Sequence, residues 1–203
     1  MPRIQKLLFA IAFVFATLNS SPLLAVEEAE YRTLKADGKI ELREYVPSVV
    51  AETVVSGDFE DAGSRAFRRL FNYIDGNNET ADKIAMTAPV SQEEAGQKIA
   101  MTAPVSQEAS GDDWAVSFMM PGSFSLENTP VPRDPAVTIR QVPAYRAASI
   151  RYSGLWSREN YDKHLERLLA WMEQEGLQAS GPAVWARYNG PFTPWFMRRN
   201  EIL

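Results

Sequence analysis

The sequence predicts an α+β fold, in which two pseudo-symmetric halves form one curved antiparallel β-sheet or barrel with two α-helices packed on it. Two segments, 40–57 and 137–154, each contain a strand pattern, a proline, a second strand pattern and a serine–glycine pair. An arginine precedes the closing glycine by fourteen residues in both segments, and a helical pattern follows each glycine. This repeated order predicts two related halves that close a single sheet, with both helices on one face.

The first half ends in a predicted helix over 59–74, for which Asp58 is the expected N-cap. The apolar positions of this helix cover an arc of about 180°, which is wider than packing on one sheet requires. Phe67 and Phe71 lie at the surplus edge of that arc, and Arg68 borders them. This aromatic edge needs cover from a loop, another element or a ligand, and the residues alone leave these alternatives open.

The second half has a predicted helix that begins after the N-cap Ser157 and ends at Gly176. His164 lies on the flank of its apolar stripe, about 60° from the stripe. A histidine in such a position is commonly a half-exposed packing residue. The alternative is a metal role for His164, because neutral imidazole is a common axial ligand of haem iron.

An eleven-residue segment occurs twice, at 83–93 and at 98–108, with a four-residue connector between the copies. Apolar residues at every second position predict two antiparallel strands, and Gly96 in the connector favours a hairpin loop between them. A proline in each copy predicts an edge, a bulge or a bend. The methionines of the repeat are interpreted as core filling rather than as ligand contacts.

The tail of the chain concentrates aromatic side chains within nine residues. Further strands are predicted at 31–35, 114–119 and 184–188. The aromatic residues that follow or end the last of these strands are Tyr188, Phe192, Trp195 and Phe196. Such a cluster is typical either of a core or of one wall of a pocket for a flat ligand, and both interpretations stay open.

Residues 1–25 are predicted to be a signal peptide, with a short positive start, an apolar run and an expected cleavage point after Ala25. The remaining 26–203 suits one domain. The apolar run is about a dozen residues long, too short to span a bilayer comfortably, so no stable membrane insertion is expected after processing. The sequence therefore predicts a periplasmic or secreted protein, with an uncleaved anchor as the alternative.

Composition excludes several classes of function. The 203-residue chain has a net charge of −5, and 26–203 alone carries nineteen basic against twenty-six acidic side chains. A chain this acidic is a poor candidate for general nucleic-acid binding. The absence of cysteine excludes disulfides, thiolate metal sites and covalent attachment of haem through cysteine. A single histidine excludes histidine-rich metal sites.

Several separated motifs resemble the SOUL haem-binding family. They are the repeated Lys-Ile-Ala-Met-Thr-Ala-Pro-Val, the segment 71–77 before it and the segment 193–201 near the end of the chain. The resemblance covers about 30–203 and keeps the family's order of motifs. It implies a pseudo-symmetric α+β barrel or curved sheet with two helices, and reversible, non-covalent binding of haem or another porphyrin in an apolar groove.

The resemblance also implies where the groove lies: beside the first helix and near the loop before the last strand. Carried onto this chain, the implied cofactor-binding residues are Ser64, Phe67, Arg68, Phe71, Tyr188 and Phe192. Haem propionates need cations, for which Arg68 or Arg65 is the candidate.

The function predicted first is a haem or tetrapyrrole carrier or buffer outside the cytoplasm, which is not an enzyme. Two alternatives are a small-molecule effector-binding module of similar two-half architecture and an enzyme that modifies tetrapyrroles. No carboxylate pair or nucleophile–base constellation stands out in the sequence, which argues against the enzyme. The sequence makes no prediction of oligomeric state.

Overall fold

The computed structural model describes residues 26–80 and 96–203. The helices are α1 (Phe59–Ile74), α2 (Arg158–Gln174) and a 3-10 helix (Trp195–Met197). The strands are β1 (Glu27–Glu28), β2 (Tyr31–Asp37), β3 (Ile40–Tyr45), β4 (Ser48–Val55), β5 (Asn78–Glu79), β6 (Thr102–Ala103), β7 (Val105–Ser110), β8 (Asp113–Met119), β9 (Val131–Pro132), β10 (Thr138–Val142), β11 (Tyr145–Tyr152), β12 (Trp185–Arg187) and β13 (Asn200–Ile202). Within the described part, no helix is long and apolar enough to cross a membrane.

The two predicted halves are visible in the main sheet. Nine strands of the described residues form it, in the order β10-β4-β8-β7-β12-β13-β11-β3-β2, and every neighbouring pair is antiparallel. The first strand of each half pairs with the second strand of the other half, as β3 with β11 and β10 with β4. Helix α1 packs on β4 and β8, while α2 packs on β11 and β13. The predicted α+β fold with two helices on a curled antiparallel sheet is confirmed.

Strand register places both helices on the same face of the sheet. Residues directly opposite each other in antiparallel strands point to the same side. Val116 pairs with Gln107, Gln107 with Trp185, and Trp185 with Ile202. Val116 belongs to the core under α1, whereas Trp185 and Ile202 belong to the core under α2. These four side chains therefore form one row across the sheet, and the row connects the core under α1 to the core under α2.

The helix boundaries agree with the capping signals in the sequence. Asp58 is the N-cap of α1 and Ser157 is the N-cap of α2. The Ser157 hydroxyl accepts a hydrogen bond from the Asn160 backbone N–H at 3.3 Å, which satisfies one of the free N–H groups of the first turn. Gly176, with φ of +66°, follows the last turn of α2 in the left-handed conformation that favours glycine.

The duplicated segment is described only in its second copy, which forms β6 and β7. The first copy, and with it the predicted hairpin, lies outside the described residues. The two edges of β7 are occupied by β8 and β12. Gly96 is needed for a close approach instead of a turn, because a Cβ there would lie 1.7 Å from the carbonyl oxygen of Gly76.

Candidate functional site

A cavity of about 740 Å³ lies between α1, the second copy of the repeat and the segment that follows β12. Its volume is within the range of small-molecule and cofactor sites. The predicted site residues on its walls are Ser64, Phe67, Arg68, Phe71 and Tyr188. The structure thus brings the surplus edge of α1 and the start of the aromatic tail to one space. Ligand binding by these residues stays a prediction.

Phe67 and Phe71 form the aromatic wall of α1. Their rings are stacked, with centroids 6.0 Å apart and planes 14° from parallel. Phe67 is half-buried because its ring also packs edge-on against Phe118 of β8, at 5.3 Å. Phe71 is 43% exposed, which is high for a phenylalanine on a helix that packs on a sheet. The Phe71 ring is therefore the larger apolar surface available to a ligand.

The Tyr188 side chain is fixed by residues on the face of the sheet opposite the helices. Its hydroxyl donates to Oε2 of Glu201 at 3.1 Å, and the Arg199 guanidinium lies 3.7 Å from its ring centroid. Burial, followed by the nearby charge of Glu201, raises the pKa of the phenol above its ordinary value. The phenol is therefore neutral at pH 7, and its hydroxyl is already hydrogen-bonded to Glu201.

Phe192 does not line the cavity, contrary to the prediction from the resemblance. Its side chain is 97% exposed. The Thr193 N–H donates to the Gly190 carbonyl at 3.1 Å, and Arg198 donates to the carbonyls of Thr193 and Pro191. This fixed turn directs Phe192 into solvent. The remaining aromatic residues of the tail, Trp195 and Phe196, are also exposed and contact each other edge-on, and neither lines this cavity.

His164 lies outside the cavity, so it is not positioned as the axial ligand that the sequence offered. Its ring stacks on Tyr152 with centroids 4.1 Å apart, and its Nδ1 donates to the Asn160 carbonyl at 2.7 Å. Partial burial is the main cause that lowers the pKa of His164 below its ordinary value of 6.5. These contacts agree with the interpretation of His164 as a packing residue.

Arg65, the alternative partner for a propionate, also lies outside the cavity. Its guanidinium donates to the Ser56 carbonyl, in the segment before α1. Arg68 does line the cavity, with an exposed side chain. Of the two arginines that the sequence offered, only Arg68 can reach a ligand there.

Sequence reasoning missed Arg187, the last residue of β12, which lines the cavity. Its guanidinium lies 4.7 Å from the ring of Trp185 and 5.6 Å from the ring of Trp156. Its Nη2 donates a long hydrogen bond, 3.4 Å, to Oε1 of Gln107. Burial lowers the pKa of Arg187 to about 10, so the side chain still carries its charge at neutral pH. The strand pattern places Trp185 and Arg187 on one face, but it does not show that this face meets a cavity.

The second copy of the repeat also contributes to the cavity, through Met101, Thr102 and Ala103. Met101 also packs against the core under α1, which agrees with the interpretation of the methionines as core filling. The same side chain lines the cavity. Among the described residues, no group of three or more acidic or histidine side chains is placed to hold a metal ion. The Met101 thioether is a soft donor at the cavity wall.

The fold and cavity define a two-helix α+β half-barrel protein with an aromatic-lined binding space. Its fold is similar to the EcmrR C-terminal domain, at a TM-score of 0.53 and 13% identity, with 85% of this chain and 94% of that chain covered. It is also similar to a protein from Listeria innocua described as a hydrolase, at a TM-score of 0.50 and 10% identity, with 81% and 89% covered. Identities this low show a shared fold alone.

The sequence comparisons identify the family. A model of the family described as SOUL heme-binding protein matches residues 26–203. Heme-binding protein 1 of Xenopus laevis is 25% identical over 194 residues, which cover 93% of this chain and 97% of that protein. Heme-binding protein 1 of Xenopus tropicalis is 24% identical with the same coverage. The chain belongs to the SOUL heme-binding protein family.

Proposed function

We propose that this protein binds haem or a related tetrapyrrole reversibly and without a covalent bond, as a carrier or buffer outside the cytoplasm. The observation that carries the proposal is the aromatic cavity between α1 and the segment after β12, in a member of a family whose relatives are named for haem binding. Phe71 keeps an exposed ring surface at the cavity, and Arg187 has no carboxylate partner among the described residues. Both are explained by a flat, partly anionic ligand.

The residues of the cavity fit the chemistry of haem. Phenylalanine and tryptophan rings bury apolar surface of a flat ring system, at roughly 25 cal/mol for each Å² removed from water. Arg68 and Arg187 supply positive charge for carboxylates. Haem contains iron that an axial ligand can bind, and the imidazole of His164 is not on this wall. Binding through apolar contact and charge therefore favours an exchangeable ligand.

A binding role fits the cavity better than a catalytic role. Ser64 is the hydroxyl of α1 that lines the cavity, and the described lining residues include no histidine to activate it. The carboxylate among those lining residues, Glu60, accepts a hydrogen bond from the Arg158 backbone N–H at 3.0 Å. A nucleophile with an adjacent base is thus missing from the described wall. This arrangement supports a protein that holds its ligand unchanged.

The proposed location outside the cytoplasm rests on the predicted signal peptide. Val26, the first residue after the expected cleavage point, lies at the cavity. Fractionation of the host and N-terminal sequencing test this part of the proposal. Export predicts a soluble periplasmic or secreted form that begins at Val26. A cytoplasmic form that retains residues 1–25 would contradict it.

Titration of the purified protein with hemin tests binding directly. We expect a shift of the Soret band at micromolar hemin. Phe71→Ala is expected to raise the dissociation constant about 5-fold to 10-fold, because the partly exposed ring loses contact area equivalent to about 1 kcal/mol or more. Phe67→Ala should weaken binding as well, with some loss of stability because Phe67 also contacts the core.

Phe196→Ala is the matched control for this titration. Phe196 is an exposed phenylalanine outside the cavity, and its removal is expected to leave hemin binding unchanged. Absence of any Soret shift in the wild-type protein would overturn the proposed function. Equal losses in Phe71→Ala and Phe196→Ala would place the ligand elsewhere on the surface.

A further inference from the structure

Arg187 Nε is a buried polar atom that lacks a hydrogen-bond partner among the described residues. The Tyr152 hydroxyl and Trp185 Nε1, which are buried nearby, lie close enough to interact with each other. Arg187 and Tyr152 are both paired to Asn200, from the two strands that flank β13, so their side chains share the helix-covered face. Trp185 precedes Arg187 by two residues on that face. Buried polar groups are nearly always hydrogen-bonded in native proteins, so the unsatisfied Nε of Arg187 indicates a missing polar partner.

The fold holds the Arg187 guanidinium at a defined place against α1. A Cβ at Gly63 would lie 2.8 Å from Nη2 of Arg187 and 2.8 Å from Oε1 of Gln107, so glycine at this position lets the ends of both side chains lie directly against α1. Gln107 is itself fixed, because its Nε2 donates to the Phe59 carbonyl at 2.8 Å. It can therefore offer Arg187 only a neutral amide oxygen.

The charge of Arg187 is unpaired within the described residues. No described carboxylate forms an ion pair with it, although Arg43 and Arg199 on the opposite face of the sheet both do so with Glu201. A buried cation without a counter-ion is costly to keep in the fold. The neighbouring indole of Trp156 is fixed by a hydrogen bond from its Nε1 to Asn200 at 2.9 Å, so it borders the cation with an apolar face.

We propose that Arg187 is the anion receptor of the cavity and binds a carboxylate of a flat aromatic ligand. Trp156, which lines the cavity beside Arg187, would contact the apolar body next to that carboxylate. The inference rests on the proposed function only where the ligand is taken to be haem, whose carboxylates are propionates. A free aromatic carboxylic acid offers the same chemistry, and the two sources are separated by the choice of probes.

The test compares dissociation constants of the full chain for two pairs of probes. One pair is hemin and its dimethyl ester, and the other is 1-pyrenebutyrate and its methyl ester, all under identical solvent conditions. Within a pair only the carboxylate changes. The wild-type protein is expected to bind the acid about 10-fold or more tightly than the ester, and Arg187→Gln is expected to remove that preference. Arg167→Gln, an exposed arginine of α2 outside the cavity, should retain it.

Thermal unfolding without ligand separates this role from a structural one. Loss of an unpaired buried charge predicts that Arg187→Gln unfolds at the same temperature as the wild type or a higher one. A structural arginine predicts a lower temperature, and a marked decrease together with an unchanged acid preference would overturn the inference. This readout also shows whether the variant is folded in the binding assay.

The probes distinguish failure of the inference from failure of the haem proposal. If neither hemin nor its ester binds but pyrenebutyrate shows a preference that depends on Arg187, haem binding is wrong and the anion receptor stands. If hemin binds and its preference over the ester is absent or survives Arg187→Gln, the anion receptor is wrong and haem binding stands. Failure of all four probes to bind overturns both.

Discussion

Replacement of Glu201 by glutamine is expected to lower the free energy of unfolding by about 3 kcal/mol, without direct loss of a cavity residue. Glu201 is fully buried on the sheet face opposite the helices. Its Oε2 pairs with Nη1 of Arg43 at 2.6 Å, and its Oε1 pairs with Nε of Arg199 at 2.9 Å. The variant leaves both guanidinium groups without their shared carboxylate. For a chain of this size the melting temperature should fall by roughly 6–12 °C.

We expect the loss of free energy of unfolding to lie near the lower end of the range for a broken buried ion pair, because both arginines keep other partners. Arg43 still contacts Glu41 at 2.6 Å and the Tyr45 hydroxyl at 3.1 Å. Arg199 still contacts Glu28 at 2.7 Å. Urea unfolding at neutral pH measures the loss directly, because a change of midpoint without a change of slope reports stability alone.

The same substitution should alter the dependence of stability on pH. Burial by itself would raise the pKa of Glu201, but hydrogen bonds and charge from Arg43 and Arg199 outweigh burial and lower the pKa below its ordinary 4.5. A lowered folded-state pKa means that the unfolded chain takes up a proton first as the pH falls. This contribution to stability is therefore complete above pH 4.5 and is lost below it. The deficit of Glu201→Gln should shrink in that acidic window.

Glu41→Gln is the matched control, because Glu41 pairs with the same Arg43 but is 29% exposed. The Glu41 carboxylate is half-buried and Arg43 keeps Glu201 in this variant, so the variant should lose about 1 kcal/mol or less. Equal losses in the two variants would show that burial of Glu201 does not set its contribution. A wild-type-like Glu201→Gln would show that the buried ion network does not stabilise this fold.

The architecture was predictable because the chain repeats one supersecondary unit. The fourteen-residue interval between arginine and glycine recurs with its flanking strands and helix, at 43–57 and 140–154. Hydrophobic period and capping residues then fixed both helices. Pairing between the halves was inferred only as closure of one sheet, because strand order depends on contacts far apart in the sequence. The predicted hairpin between the two copies of the repeat stays a prediction, because the first copy lies outside the described residues.

The wall of the candidate site that α1 forms was predictable from the sequence. The wall formed by the segment after β12 was less predictable. Helical periodicity gives direction, so the surplus edge with Phe67 and Phe71 followed from angles alone. The loop after Tyr188 has no such period, and a count of aromatic residues could not tell that Phe192 points into solvent. Arg187 was missed because its lack of a counter-ion is a property of its tertiary neighbours.

Replacement of Ser64 by tryptophan is expected to weaken hemin binding by about 100-fold or more, which corresponds to about 2.7 kcal/mol. Ser64 is an exposed residue of α1 that lines the cavity, between the turn of Gly63 and the ring of Phe67. An indole at this position projects into the space that a porphyrin needs. The free energy of unfolding should change by only about 0.5 kcal/mol, because the substitution removes no buried contact.

Asn72→Trp is the control for this prediction, because it adds the same side chain at an exposed position of α1 outside the cavity. It should bind hemin as the wild type does, which shows that an added indole does not itself disturb the titration. Hemin binding that survives Ser64→Trp at wild-type strength would mean that the ligand does not occupy the space between α1 and the segment after β12. The aromatic wall of α1 would then be a packing surface, and the preference of Arg187 for a carboxylate would have to be tested at another face of the fold.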